Sequence, residues 1–236
     1  MTSLKDAVVL VTGANGGIGT EFVTGALERG ARKVYATART PRTWDDPRIV
    51  PLALDVNDPA SVAAAAATAD DVTVLVNNAG ALPRTASILD LSREELREGM
   101  ETNFVGPVSM AKAFAPVLTA HAESAIIDVH SVASWYAFGG VYSASKAALW
   151  SATNSIRLEL APQGVHVVGV HMGYVDTAMA VGAEGPKMEP ANLVRAVLDA
   201  VEAGDYEVVA DELTTGVKAA LSGPVEALYP ELVSTG

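Results

Sequence analysis

The chain has 236 residues, half of them hydrophobic, with a formal net charge of −12. That length supports one sizeable core and would cramp two, and the acidic balance argues against nucleic acid, whose backbone it would repel. With no cysteine there is no disulfide framework, iron–sulfur cluster or cysteine nucleophile; the four histidines (His121, His130, His166, His171) lack metal-ligand spacing, so no metal is expected.

In chain order, apolar runs rich in Val and Ile alternate with helical patterns. Ala7 to Thr12 reads as a strand, Gly17 to Arg29 as a helix, and Lys33 to Thr37 and Ile49 to Leu54 as strands. Pro59 to Ala69 reads as a helix capped by Asp58, followed by a strand from Val72 to Asn77. One long helical stretch covers Ser92 to about Thr119. Then come a strand over 125–130, a helix over 141–161, a strand from Val165 to Val170, a helix from Pro190 to Ala203 and a last strand from Tyr206 to Ala210. This alternation predicts an α/β fold: a single doubly wound, Rossmann-type parallel sheet with helices on both faces, one domain over 1–236. The start of the chain runs straight into a strand, so neither a signal peptide nor a membrane span is expected and a cytoplasmic protein is.

Two stretches carry chemistry. Thr12 to Gly19 joins the first strand to the first helix. Gly13 suits a tight turn, Gly17 a close approach to a pyrophosphate and Gly19 the packing of helix on strand, while the helix N-terminus offers free N–H groups to an anion. In the second stretch Tyr142 and Lys146, four apart, share one helix face, where a cation favours the phenolate and moves the tyrosine toward acid–base work. Alone that pair reads more readily as a solvated helix face, and the motifs upstream overturn that reading. Ser131, at the end of a buried strand, can face the same cleft and hold a substrate oxygen.

In combination these residues resemble the single-domain short-chain dehydrogenase/reductases, from about residue 5 to 210. The motifs are the loop with Gly13, Asn15, Gly17, Ile18 and Gly19, Asp55-Val56 after the third strand, and Asn77-Asn78-Ala79-Gly80 after the fourth; Asn103, Ser131, Tyr142 and Lys146 follow. The resemblance implies a catalytic tetrad of Asn103, Ser131, Tyr142 and Lys146, with Asn78, Ala79 and Gly80 also at the cofactor. Tyr142 would exchange a proton with a carbonyl or alcohol oxygen, Ser131 would hold that oxygen, and Lys146 would lower the tyrosine pKa and contact the nicotinamide ribose. Pro107, four residues after Asn103, has no N–H for the Asn103 carbonyl, which agrees with the water-holding role that the family gives that carbonyl.

The chain departs from the family in places. Ser131 and Tyr142 are eleven apart, two fewer than expected, so the loop over 134–140 must be tight, with Ser134 a minor competitor for the serine role. His130 and Asp128 replace the usual Ser and Asn and read as structural. Met172-Gly173 stands where Pro-Gly is common, while Gly173, Val175 and Thr177 still match the stretch at the carboxamide end of the nicotinamide.

Charge bears on the cofactor. The second strand ends Ala36-Thr37-Ala38-Arg39, with no carboxylate for the ribose hydroxyls of NAD and a guanidinium suited to a 2′-phosphate, aided by Thr37 or Arg42. NADP is therefore expected over NAD. Trp135, Tyr136 and Phe138, with Tyr174 and Met179, form either an apolar substrate wall or part of a core or subunit contact. The segment from Ala178 to Pro190 reads as a short mobile lid over an open pocket for an apolar ketone, aldehyde or secondary alcohol. The family usually assembles through the helices at 92–119 and 141–161, so a homodimer or homotetramer is expected. An acyl-carrier-linked 3-oxoacyl reductase, a dehalogenase and a non-catalytic nucleotide sensor are the competing readings; the acidic chain, the intact glycine loop and the complete tetrad respectively weigh against them.

Overall fold

The computed structural model describes residues 2–233. Seven parallel strands form one sheet in the order β3-β2-β1-β4-β5-β6-β7. They are β1 (Val8–Val11), β2 (Lys33–Ala38), β3 (Ile49–Ala53), β4 (Val74–Asn77), β5 (Ser124–Val129), β6 (Val165–His171) and β7 (Glu207–Val209). The order turns around between β1 and β4, and in an open parallel sheet the crevice beyond the carboxyl ends at such a point receives the ligand.

Both faces of the sheet are covered because successive strand residues point to opposite sides. Val9 and Val11 of β1 join Ile127 and Val129 of β5 in a core roofed by α1 (Gly17–Glu28) and α6 (Pro190–Ala203), through Phe22, Val23, Leu193 and Leu198. Val8, Leu10 and Ile126 face the other way, onto α2 (Pro59–Thr68), α4 (Gly106–Leu118) and the end of α5 (Val141–Leu160). Runs such as Val8-Val-Leu-Val11 are apolar throughout because neither face meets water.

The stretch expected as one long helix is two. α3 (Arg93–Met100) opens with a capping box between Ser92 and Glu95 and ends in a π turn over Glu101–Val105, after which α4 begins. Pro107 has no N–H to give the carbonyl four residues back, so the ladder widens, and the Gly106 N–H reaches Glu101 instead. The elements that escaped the periodicity include a 3₁₀ turn at Val132–Ser134 and a final helix, α7 (Glu212–Ala220), capped by Asp211, whose carboxylate accepts from the Thr214 N–H. No helix among the described residues is long and apolar enough to cross a membrane.

Candidate active site

A cavity of about 1120 Å³ runs along the carboxyl ends of the strands, from Arg39 at the end of β2, past Gly13 and Asn78, to Tyr142 and Tyr174. Its first half is built from backbone. The Thr12 hydroxyl accepts from the N–H groups of Asn78 and Ala79, while the Asn78 amide donates to the carbonyls of Thr12 and Gly13, so the glycine loop and the Asn77 to Gly80 turn form one unit. Gly13 has φ +68°, a conformation that costs other residues energy, and a Cβ on Gly19 would stand 2.2 Å from the Gly13 carbonyl oxygen. The Gly16 N-cap brings no side chain to the start of α1, whose first N–H groups stay available to an anion. Asn15 is used locally: its amide donates to the Thr40 carbonyl at 2.9 Å and ties the loop to the end of β2.

Arg39 is exposed at the cavity edge, which Thr37, Ala38 and Thr40 continue without a carboxylate. Arg42 lies over the Trp44 ring, 3.9 Å from its centroid, and donates to Thr20, which holds a second guanidinium close to the loop. Asp55 and Val56 line the cavity after β3, with the Asp55 carboxylate accepting from the Asn57 N–H. The glycine cradle that added side chains would fill, the uncapped helix start and the guanidinium at the end of β2 together fit a phosphorylated dinucleotide.

Ser131, Tyr142 and Lys146 meet in the second half. Ser131 ends the extended segment after β5, where its hydroxyl accepts from the Ala133 N–H; Tyr142 and Lys146 share one face of α5. The short loop between them closes because Gly140 takes φ +53°, with Ala86 so near that a Cβ would stand 2.5 Å from its carbonyl oxygen. Burial pushes the Tyr142 phenol above its ordinary value, opposed by a hydrogen bond with the Ser131 hydroxyl. Burial also brings Lys146 down to about 8, with Asp128 opposing. The expected lowering of the tyrosine by Lys146 is absent from this arrangement. The ammonium is 5.8 Å from the tyrosine ring centroid and donates to the Val129 carbonyl at 2.8 Å.

The Asn103 side chain is buried and turned away from the cavity. Its Oδ1 accepts from the Ala81 N–H at 2.9 Å and its Nδ2 donates to the Ala81 carbonyl, so it clamps the π turn to the loop after β4. Gly80 packs against it: a Cβ there would lie 3.3 Å from Asn103 Oδ1 and 3.9 Å from Lys146 Nζ.

Of the five aromatic and thioether positions expected at the substrate, Tyr136, Phe138, Tyr174 and Met179 line the cavity. Trp135 does not. It stacks on His171 with ring centroids 3.8 Å apart, meets Trp150 edge-on and packs with Val132 and Val217 behind the wall. Gly173, Val175 and Thr177 line the cavity too, and Val175 bridges Met188, so the segment expected as a lid leaves and returns at one point.

The tail contributes residues that the sequence left opaque. Asp211 Oδ2 accepts from the Gly173 N–H at 2.6 Å, holding the stretch where proline is missing, and Leu213 reaches the cavity rim. An Asp three residues before Thr214 at the head of a helical pattern is a readable cap; its second carboxylate contact is not. Tyr229 stacks on Tyr136 and accepts from the Ala137 N–H at 2.9 Å.

The model of the short chain dehydrogenase family matches residues 7–186. A short-chain dehydrogenase of Burkholderia cenocepacia, solved in complex with NADP, is 38% identical with a TM-score of 0.89, over 98% of this chain and 99% of that one. An NADPH-bound carbonyl reductase from chicken fatty liver is 30% identical with a TM-score of 0.76, over 83% of this chain and 91% of that one. Among curated relatives, the NADPH-dependent 1-acyldihydroxyacetone phosphate reductase of Schizosaccharomyces pombe is 37% identical over 194 residues, which are 78% of this chain but only 64% of the yeast protein.

Proposed function

The chain belongs to the short-chain dehydrogenases, and on that premise we propose that it is an NADP-dependent oxidoreductase that reduces the carbonyl of an apolar ketone or aldehyde, or runs the reverse reaction. The observation that carries this reading is one cavity with Arg39 and no carboxylate at the end of β2, and with Ser131, Tyr142 and Lys146 at the other end. NADPH, when bound, supplies the hydride. The glycine loop and the start of α1 hold its phosphates, Arg39 the 2′-phosphate, and Gly173, Val175 and Thr177 the carboxamide end. NADP-bound and NADPH-bound relatives in two kingdoms support that choice.

For the substrate, the Ser131 hydroxyl donates to the carbonyl oxygen and Tyr142 gives that oxygen its proton as the alcohol forms. Lys146 restores the phenol proton. Its value of about 8 leaves it mostly charged at neutral pH yet able to give up a proton. Asn103 acts as a positioning residue, through the clamp on Ala81. The apolar side chains of Leu82, Phe138, Met179, Val181 and Leu213 around the mouth, with Phe138 and Tyr174 in edge contact, favour an aromatic or long aliphatic substituent over a small polar metabolite. Assembly as a homodimer or homotetramer through the helical stretches 92–119 (α3 and α4) and 141–161 (α5) belongs to the same reading, and light scattering measures it.

The test is NADPH consumption, with NADH in parallel, against aromatic, aliphatic, steroidal and 3-oxoacyl carbonyl compounds. Turnover of an apolar class, faster with NADPH, is expected. Tight NADPH binding with no turnover across the panel would overturn catalysis in favour of a nucleotide sensor.

A further inference from the structure

Beneath the cleft runs a line of polar side chains that this reaction leaves unused. Asp128, His130, Thr153 and His171 are each at most 2% exposed. Asn77 Nδ2 donates to Asp128 Oδ1 at 2.8 Å, and Thr153 Oγ1 lies 2.7 Å from Asp128 Oδ2. The same hydroxyl is 2.9 Å from His130 Nε2, His130 Nδ1 is 3.1 Å from His171 Nε2, and His171 Nδ1 is 3.3 Å from the Ser131 carbonyl oxygen.

Each hydrogen can be placed from what its partner is able to do. A carbonyl only accepts, so His171 Nδ1 carries a hydrogen. If His171 is neutral, its Nε2 is bare and must accept from His130 Nδ1–H. If His130 is neutral too, its Nε2 is bare and takes the single hydroxyl hydrogen of Thr153, which the Leu149 carbonyl, 2.9 Å from that hydroxyl, then goes without. With that hydrogen spent, Thr153 meets Asp128 only as an acceptor, so the proton between them belongs to Asp128. Two other arrangements fill the same contacts from Asp128 to the Ser131 carbonyl: moving the Asp128 proton to Thr153 and the Thr153 proton to His130 Nε2 leaves a carboxylate and a His130 imidazolium. Moving the His130 Nδ1 proton to His171 Nε2 as well leaves a carboxylate at one end and an imidazolium at the other, with the proton count unchanged.

We propose that the first arrangement is the resting state: Asp128 is a neutral acid at the head of a one-way chain through Thr153, His130 and His171 to the Ser131 carbonyl, and His130 and His171 are positioning residues for Ser131. The part of this inference that concerns catalysis rests on the roles proposed above for Ser131 and Lys146; the protonation pattern does not. Burial favours the neutral form at every titrating member. It raises Asp128, lowers His130 far below its ordinary value and brings His171 down to about 3.

The surroundings divide. His171 meets the Trp135 ring on one side, and from α5 Lys146 and Arg157 oppose protonation of both histidines; at Asp128 the same cations, with the hydrogen bonds of Thr153 and Asn77, favour the carboxylate, and burial is the larger effect. From β7, Glu207 Oε1 lies 3.6 Å from His171 Nε2, but Glu207 already pairs with Lys218 of α7, whose charge opposes an imidazolium. With Asp128 neutral, Lys146 has no ionised counter-ion beneath it, and its proton is easier to give up. An asparagine at 128 reproduces the protonated acid group for group: its oxygen accepts from Asn77 and its amide donates to Thr153.

Long-range proton–nitrogen NMR on the ¹⁵N-labelled full chain at neutral pH, free and with NADP, tests this without any turnover. The chain has four histidines, few enough to assign. His130 and His171 are expected as neutral Nδ1–H tautomers. Asp128→Asn is expected to leave both patterns in place, Thr153→Val to mix the tautomers of His130, and Thr153→Ser to restore them. A doubly protonated His171, or His130 protonated on Nε2, would overturn the proposal by showing an ionised Asp128. So would loss of the Nδ1–H pattern in a folded Asp128→Asn variant.

Discussion

The two halves of the cleft are shaped by different means. At the β1–β4 crevice the walls are backbone against backbone: a Cβ on Gly19 would stand 2.2 Å from the Gly13 carbonyl oxygen and 2.9 Å from the Ala14 Cα. Beyond β5 and β6 the walls are side chains, with Tyr136 against Tyr229, Phe138 against Tyr174, and Leu213 at the rim. A wall of main chain leaves no room for substitution, and its ligand is nearly dictated. A wall of side chains from four separate segments can be re-cut without disturbing the sheet, so it carries the choice of substrate.

That contrast orders the expected effects. Gly19→Val strikes the backbone wall. It should abolish NADPH binding and lower stability by about 3 kcal/mol or more, since the loop cannot yield without losing the contacts of Thr12 and Asn78; calorimetry and thermal melting measure both. Retained binding would erase the distinction between the halves. Tyr142→Phe should keep nucleotide affinity while turnover falls by roughly a hundredfold or more, the scale of a lost general acid. Arg39→Asp should move the preference toward NADH by about tenfold or more, read as the ratio of kcat/KM values, since a carboxylate repels the phosphate and accepts from ribose hydroxyls. An unchanged ratio would mean that Arg42 or another group reads the phosphate.

The pH profile sharpens the second half. Reduction draws its proton through Lys146, whose value is about 8 with Asp128 ionised and lower with Asp128 neutral, so kcat/KM for reduction should fall about tenfold per pH unit above a point no higher than about 8. The same group affects stability with a definite sign. Its value is below the ordinary 10.5, so between the two the unfolded chain holds the extra proton and stability rises with pH; the penalty of burial is fully present below about 8. The smallest effect is expected from Tyr229→Phe. Losing the hydrogen bond to Ala137 should raise KM a few-fold with kcat nearly unchanged and cost about 1 kcal/mol or less.

The same contrast explains what could be read from the sequence. The strand alternation, the glycine spacing and the pairing of Tyr142 with Lys146 are local patterns, and local geometry gives them meaning: a helix puts residues four apart on one face, and a turn needs glycine where φ is positive. The break in the long helix was prefigured by Pro107, but not its form, a π turn in which the Gly106 N–H reaches Glu101 while Gly106 packs close to Val56 of another segment. Trp135 carried no local sign that it would turn inward onto His171, a residue of another strand. Likewise, nothing near Asp211 announces that its carboxylate holds the Gly173 N–H. Contacts between distant segments decide the substrate wall.

The most direct test follows deuterium. NADPH labelled at C4 of the nicotinamide, incubated with the chain and an apolar ketone that it turns over, should deliver the label to the former carbonyl carbon, and the hydroxyl hydrogen should come from solvent. Label lost to water, or a product carbon carrying solvent hydrogen, would contradict direct hydride transfer and with it the roles given to Ser131, Tyr142 and Lys146.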